Sequence, residues 1–238
     1  MSLATYHEKR NFKKTAEPEG KEGKSGQKLL YVVQKHRATA LHYDFRLEHN
    51  GVLLSWAVPK GPSLDPSVKR LAMQVEDHPV DYGGFEGIIP EGEYGGGTVM
   101  LWDTGEWTPE NGDPGAAMAK GDFKFTLMGE KLKGSWVLVK TRGFGSKTHT
   151  SWLLIKHRDQ FASTEEIAET EPRSVKTNRL MAEIARDEGG DVERAATGDP
   201  QEKTAKKPAA GKSAGTSTGK KAAAKPSGAK RTAAKAKK

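Results

Sequence analysis

Asn50-Gly51 lies between two runs of alternating polarity, LHYDFRLEH and VLLSWAV, and no other feature constrains the fold as tightly. An Asn-Gly pair supplies the two positive-φ residues of a type I′ turn, whose twist matches that of paired antiparallel strands. A two-residue loop sets position 49 opposite 52, Leu47 opposite Leu54, Phe45 opposite Trp56 and Tyr43 opposite Val58. All of the last six are apolar or aromatic, so this face belongs in a core. The other face carries His42, Asp44 and Arg46 on one strand, with the small residues Ser55 and Ala57 across from them. A slip of one residue mixes the two faces, so the register is unique.

The rest of the body reads the same way. Short alternating runs at 29–34, 41–49, 52–58, 71–77, 98–102, 122–127, 135–141 and 151–156 are separated by Gly, Pro and Asn clusters. No part of this region shows a 3.6-residue period. Eight short strands without intervening helices predict an all-β fold, an antiparallel barrel or sandwich.

Charge divides the chain into parts. Residues 201–238 hold 12 of the 39 Lys and Arg and a single acid, so a chain with net charge +8 has a body of net −3 over its first 200 residues. Basicity therefore belongs to a tail and not to the fold. That tail lacks Leu, Ile, Val and aromatic residues. It cannot bury enough apolar surface to offset its ordering entropy, so it is expected to be disordered and suited to a polyphosphate backbone. The organisation predicted is an N-terminal arm (1–28), a β body (29–160), an acidic linker (161–200) and the tail (201–238). Within the linker, Thr177 is expected to cap a short helix bearing Leu180, Met181 and Ile184, ended by Gly189-Gly190. With no cysteine, disulfide scaffolds, thiolate zinc sites and cysteine nucleophiles are excluded. No run of 18 apolar residues and no apolar leader is present, so neither a membrane span nor a signal peptide is expected.

His42, Asp44 and Arg46 recur at period two, ~6.5–7 Å apart along one strand face. Buried without partners they would be costly, so they require a metal, an anion or each other. His36, placed in a short 35–40 connection, adds a second imidazole. Two imidazoles and a carboxylate suit Mn²⁺, Fe²⁺, Co²⁺ or Zn²⁺, and Arg46 beside them suits an anion held by a bidentate fork. The same residues also suit a solvated face with a plain Asp–Arg pair. His42-x-Asp44 is equally compatible with an Fe²⁺ oxygenase triad, and the tail alone with a non-enzymatic DNA-coating protein. His78, in VEDHPVDYGGFEG, gains a role only if the Gly-rich connection after it folds it beside Arg46.

The runs QKHRATALHYDFRLE, SWAVPKGP and VEDHPVDYGGFEGIIPEGEYGGG together resemble the 3′-phosphoesterase module of the bacterial ligase D family of DNA end-joining proteins, over about residues 5–160. The resemblance implies a compact β-barrel of about eight strands, with an apolar core on one side and a polar groove on the other. It implies a Mn²⁺-dependent phosphodiesterase and phosphomonoesterase (Co²⁺ or Zn²⁺ being alternatives). Such an enzyme removes a 3′-terminal ribonucleoside, then converts the 3′-phosphate to a 3′-hydroxyl. By the same resemblance His36, His42 and Asp44 are metal ligands, and Arg46, His78 and Tyr82 bind phosphate and act in catalysis. Gln34, Ser55, Lys60, Arg70 and Glu76 support the groove, and KRNFKKTAEPEG brings Arg10 and Glu17 near the site. Asn11 stands where the family has Asp, so a carboxylate is missing there. No KxDG adenylation motif occurs, and the chain is too short for a primase-like polymerase. The expectation is a free-standing, monomeric, cytoplasmic and nucleoid-associated enzyme. It would act on DNA 3′ ends beside a separate ligase, polymerase or Ku-like end-binding protein, with the tail as a DNA tether.

Overall fold

In the computed structural model, which describes residues 2–23, 26, 28–141 and 150–201, the Asn50–Gly51 turn forms with φ of 50° and 77°. Strands β2 (Leu41–His49) and β3 (Val52–Val58) pair in the expected register, with Leu47 opposite Leu54, Phe45 opposite Trp56 and Tyr43 opposite Val58. Glycine is required at 51 for a second reason. A Cβ there would lie 1.8 Å from the Gly23 carbonyl oxygen, because the N-terminal arm runs against the turn and Gly23 N–H donates to Gly51 O at 3.0 Å.

The other strands are β1 (Leu29–Arg37), β4 (Arg70–Gln74), β5 (His78–Pro79), β6 (Gly87–Ile89), β7 (Gly97–Pro109), β8 (Asp122–Gly129), β9 (Lys133–Lys140) and β10 (Ser151–Lys156). Their order is β1-β2-β3-β4-β10-β9-β8-β7, and β7 pairs back onto β1, so eight antiparallel strands close a barrel. Closure abolishes free edges. The two-residue β5 adds to β3, and β6 adds to β7.

The barrel interior is filled by large rings. All five tryptophans, Trp56, Trp102, Trp107, Trp136 and Trp152, are buried there with Tyr31, Phe45, Phe123 and Phe125. The outer side of the β1–β3 wall is less polar than expected. With the adjoining β7 it carries a second apolar cluster of Val32, Val52, Leu53, Val99 and Leu101, covered by Tyr82, Phe85 and Ile89 and by Leu3 and Tyr6 of the arm. The polar groove is a trench within this cluster. The arm is not wholly extended, since α1 (Ala4–Glu8) delivers Tyr6 to the cluster.

Three local expectations are corrected. Strand pairing at 71–77 stops at Gln74, and β7 runs seven residues past the predicted 102. Helix α2 (Pro114–Lys120) interrupts the β body. Its signals are local: Asp113 accepts from Ala116 N–H at 2.8 Å, Pro114 opens the first turn, and Gly121 closes it at φ 80°.

Residues 161–200, expected to be an acidic linker with one short helix, carry three helices packed on the barrel. Helices α3 (Ile167–Thr170), α4 (Met181–Asp187) and α5 (Val192–Ala196) bury Ile167, Met181, Ile184, Ala185 and Ala195 in the interior cluster. Thr177 does not cap α4. Its hydroxyl donates to Glu86, and the free N–H groups of Met181 and Ala182 donate instead to the Asp199 carboxylate, both at 2.9 Å. The first compact unit spans Met1–Gln201. The tail from 202 onward, expected to be disordered and DNA-binding, lies outside the described residues.

Candidate active site

Register brings the first four polar groups together. β1 pairs with β2 so that His36 stands directly opposite His42 and Gln34 opposite Asp44. His36 is therefore the penultimate residue of a strand and not part of a connection. Strand parity then turns Gln34, His36, His42, Asp44 and Arg46 toward one trench, and the small Ala57 opposite Asp44 leaves room.

Both imidazoles are oriented by main-chain carbonyls. His36 Nε2–H donates to Gly95 O at 2.8 Å, and His42 Nδ1–H donates to Ala40 O at 3.0 Å. Each ring thus presents its remaining nitrogen to Asp44: His36 Nδ1 lies 3.5 Å and His42 Nε2 3.6 Å from Asp44 Oδ2. Donor atoms of the three side chains lie within 4.8 Å of one another. Ligand atoms bound ~2.1 Å from one small cation stand roughly 3–4 Å apart, so this is the spacing of a cation site. Carbonyl bonds on the outer nitrogens are the usual means of fixing a ligand histidine's tautomer. Two lone pairs aimed at a carboxylate repel unless a positive charge lies among them. Protonation supplies one such charge: burial opposes it at His42, but the Asp44 carboxylate and the Ala40 carbonyl raise its pKa. A divalent cation supplies the other, and the donor set fits it.

Asp44 is buried, which disfavours its charge, yet Arg46 and then the two imidazoles hold its carboxyl well below the usual range. Arg46 is locked. Its Nε donates to Gln34 Oε1 at 2.9 Å, Nη1 to Ser55 Oγ at 2.8 Å, and Nη2 lies 3.4 Å from Asp44 Oδ2. Gln34 is oriented in turn, because its Nε2 donates to the carbonyls of Tyr82 and Phe85 at 3.0 and 2.9 Å.

The chain after β4 returns His78 to the trench. β5 pairs it with Leu53, and its Nδ1 lies 3.4 Å from Ser55 Oγ, beside Arg46 as the sequence condition required. His78 Nδ1–H donates to the Glu76 carbonyl at 2.9 Å, and Nε2 accepts from Arg10 Nη2 at 3.1 Å. Burial, followed by the charges of Arg46 and Arg10, holds its pKa well below the ordinary imidazole value. As placed, His78 is neutral, with its Nε2 lone pair taken up by Arg10. Tyr82 packs its ring under the Arg46 guanidinium at 5.0 Å and against His78 at 4.8 Å. Its hydroxyl donates to Glu17 Oε1 at 3.0 Å, and burial, then Glu17, raises its pKa well above the ordinary phenol. It is a neutral support.

The arm closes the other side. Arg10 Nε donates to Glu17 at 2.9 Å, its Nη1 donates to Glu76 at 3.3 Å, and its guanidinium lies 3.9 Å over the Tyr6 ring. The resulting cleft has a volume of about 280 Å³, and Arg10, His36, His42, Asp44, Arg46, Glu76, His78 and Tyr82 all line it.

Two expected site residues stand elsewhere. Lys60 is exposed beyond the end of β3 and does not line the cleft. Arg70 fails on parity: Ala57, on the trench face, pairs with Met73, so Arg70 falls on the same side of β4 as the core residue Ala72 and meets Glu166 at 3.2 Å. Asn11 is exposed and bonds its own turn, accepting from Lys13 N–H at 3.2 Å. The sequence reading missed Lys9, Tyr94 and Gly95. Gly95 orients His36, and its only sequence signal was a Gly-rich run that also reads as plain loop punctuation.

Two imidazoles and a carboxylate at the spacing of a cation site, sharing one cleft with an immobilised guanidinium, have the parts of a centre that grips an anion such as phosphate. Residues 34–140 match the family described as the DNA ligase D 3′-phosphoesterase domain. The chain is also similar to the multifunctional non-homologous end joining protein LigD of Pseudomonas aeruginosa, 55% identical over 148 residues. That match covers 61% of this chain and 18% of the relative. The LigD of Mycolicibacterium smegmatis is 43% identical over 148 residues, 59% of this chain and 19% of the relative. The multifunctional non-homologous end joining DNA repair protein LigD of Mycobacterium tuberculosis is 42% identical over 144 residues, again 59% of this chain and 18% of the relative. The chain thus spans less than a fifth of the length of these relatives. What it carries is a ligase D 3′-phosphoesterase-like module built on a closed antiparallel barrel. Among the described residues, no helix is long and apolar enough to cross a membrane.

Proposed function

We propose that the chain is a divalent-metal-dependent phosphoesterase that processes DNA 3′ ends for end joining. It would remove a 3′-terminal ribonucleoside and convert the resulting 3′-phosphate to a 3′-hydroxyl. The observation that carries this reading is the grouping of His36, His42 and Asp44 donor atoms within 4.8 Å of one another, with Nη2 of an Arg46 immobilised by Gln34 and Ser55 lying 3.4 Å from Asp44 Oδ2. The three side chains would hold Mn²⁺, and their donor types would also accept Co²⁺ or Zn²⁺. When bound, the ion supplies Lewis acidity to a phosphate oxygen. Arg46 takes a second oxygen and Arg10 adds a further positive charge, so the cleft offsets charge that builds up as the phosphorus–oxygen bond breaks. Burial, then the Arg46 and Arg10 charges, hold His78 neutral, and a bound phosphate dianion would offset the charge part of that depression. His78 would take a proton from solvent and pass it to the leaving oxygen, while water attacks phosphorus and leaves its own proton on the phosphate product. The leaving oxygen is the 5′-oxygen of the ribonucleoside in the diester step and the primer's 3′-oxygen in the monoester step. Glu17 and Glu76 position Arg10, and Tyr82 supports Arg46 from below.

Substrates are DNA ends bearing a 3′-phosphate or a terminal ribonucleotide. Products go to a ligase or polymerase, with a Ku-like end binder as a further partner. The chain acts as a monomer in the nucleoid, where the Lys-rich tail raises its concentration on DNA.

A labelled primer–template ending in a 3′-phosphate or a ribonucleotide tests this. Incubation with Mn²⁺ converts both ends to 3′-hydroxyl, EDTA stops conversion, and His42→Ala abolishes it. Wild-type turnover by His42→Ala overturns the site.

A further inference from the structure

We propose that Tyr94 is a nucleobase subsite, stacking on the base of the 3′-terminal nucleotide whose phosphate is held by Arg46 and the His36–His42–Asp44 trio. This rests on the phosphoesterase reading and names how the end is held beyond its phosphate. Five large apolar side chains are exposed among the described residues, and of these only Tyr94, 49% exposed, lines the cleft. The other aromatic ring of the lining, Tyr82, is buried beneath Arg46 and offers no open face.

The ring is held in place. Lys9 Nζ lies 4.6 Å over it, donates to its hydroxyl at 3.2 Å, and is itself anchored by Glu76 at 3.0 Å. Gly96 N–H donates to Glu93 O at 3.0 Å, closing the turn around Tyr94. The next residue, Gly95, is the one whose carbonyl orients His36. The open ring is therefore tied, one peptide away, to the group that positions a phosphate ligand. A preset aromatic surface in the same cleft as a phosphate grip is the device by which sequence-tolerant proteins hold strand ends, since every base has a π-face. Lys9 beneath the ring adds a positive charge for the strand's backbone.

Steady-state hydrolysis separates this from a merely structural role. On a primer ending in a normal nucleotide with a 3′-phosphate, Tyr94→Ala raises KM about tenfold, with the loss in KM and not in kcat. Tyr94→Phe, which keeps the ring, restores the wild-type KM. On the same primer ending in an abasic tetrahydrofuran residue with a 3′-phosphate, the wild type is already about tenfold poorer and Tyr94→Ala loses nothing more. Equal loss on both primers overturns the proposal. A primer ending in 2-aminopurine 3′-phosphate reads stacking without turnover. Its fluorescence is quenched on binding by the wild type and by Tyr94→Phe, and the quench disappears in Tyr94→Ala. Undiminished quenching by Tyr94→Ala overturns the stacking. A wild type that quenches but hydrolyses nothing supports the subsite and overturns the phosphoesterase reading instead.

Discussion

At Phe45 and Arg46 the two faces of strand β2 are both closed to water, yet they are stabilised in opposite ways. Phe45 is 1% exposed and Arg46, its neighbour, 2%. The inward row of Tyr43, Phe45 and Leu47 packs against Trp56, Trp102 and Phe125, and apolar burial alone accounts for it. The outward row of His42, Asp44 and Arg46 must offset a desolvation cost with hydrogen bonds to Gln34, Ser55 and carbonyls, and such networks add little net stability. One strand thus separates two tasks: its inner face holds the fold, and its outer face stores charge at fixed positions for chemistry.

If that division holds, substitutions on the two faces have different signatures. The largest effect is expected from Asp44→Asn, which keeps shape but removes the charge on which the trio converges. Hydrolysis of a 3′-phosphate primer should drop at least ~10³-fold in kcat/KM, about 4 kcal/mol of transition-state stabilisation. The His42 pKa, followed by NMR, should fall as well, since Asp44 sustains its rise. Wild-type kcat/KM in this variant would break the comparison. Next, Phe45→Ala should cost about 3–5 kcal/mol in urea unfolding, while the folded fraction keeps kcat within a few-fold. A larger loss of kcat than of stability would show that the faces are not separable.

The smallest effect sharpens the comparison through pH. His78 is depressed from its ordinary 6.5, so below that pH the unfolded imidazole binds a proton that the folded one refuses, and acid destabilises. His42 is raised from 6.5, so above that pH the folded imidazole keeps a proton that the unfolded one has lost. Its contribution, full below 6.5, fades as pH rises through the folded value. The pair's contribution to metal-free stability therefore peaks near pH 6.5, with slopes of at most ~1.4 kcal/mol per pH unit on either side. Urea midpoints from pH 5 to 8 should show this, with the acid limb flattened in His78→Gln and the alkaline limb in His42→Gln.

Much of the site was legible because its information is local. Asn50-Gly51 selects the turn, the turn selects the register, and period two then sets His42, Asp44 and Arg46 on one face and Tyr43, Phe45 and Leu47 on the other. The placement of Arg70 was open to the same parity test, since Ala57 on the trench face pairs with Met73. His36 was harder to place because nothing in 35–40 marks where the strand ends; only its pairing with His42 does. Helix α2 carried ordinary cap signals in a region read wholly as strands. Arg10 and Glu17 had no local signal at all, and resemblance alone brought them to the site.

By itself, then, the order of residues determined the hairpin, its register, the sorting of apolar from ionisable side chains and the acidic body with its basic tail. These depend on backbone sterics and side-chain polarity over a few residues. Tertiary structure alone decided that β7 returns to close on β1, that Gly95 orients His36, that the arm sets Arg10 against His78, and that Asp199 caps α4 from 18 residues away. Each of these joins groups far apart in the chain. Their partners are chosen by barrel closure and by the fit of covering segments, which no short window of sequence encodes.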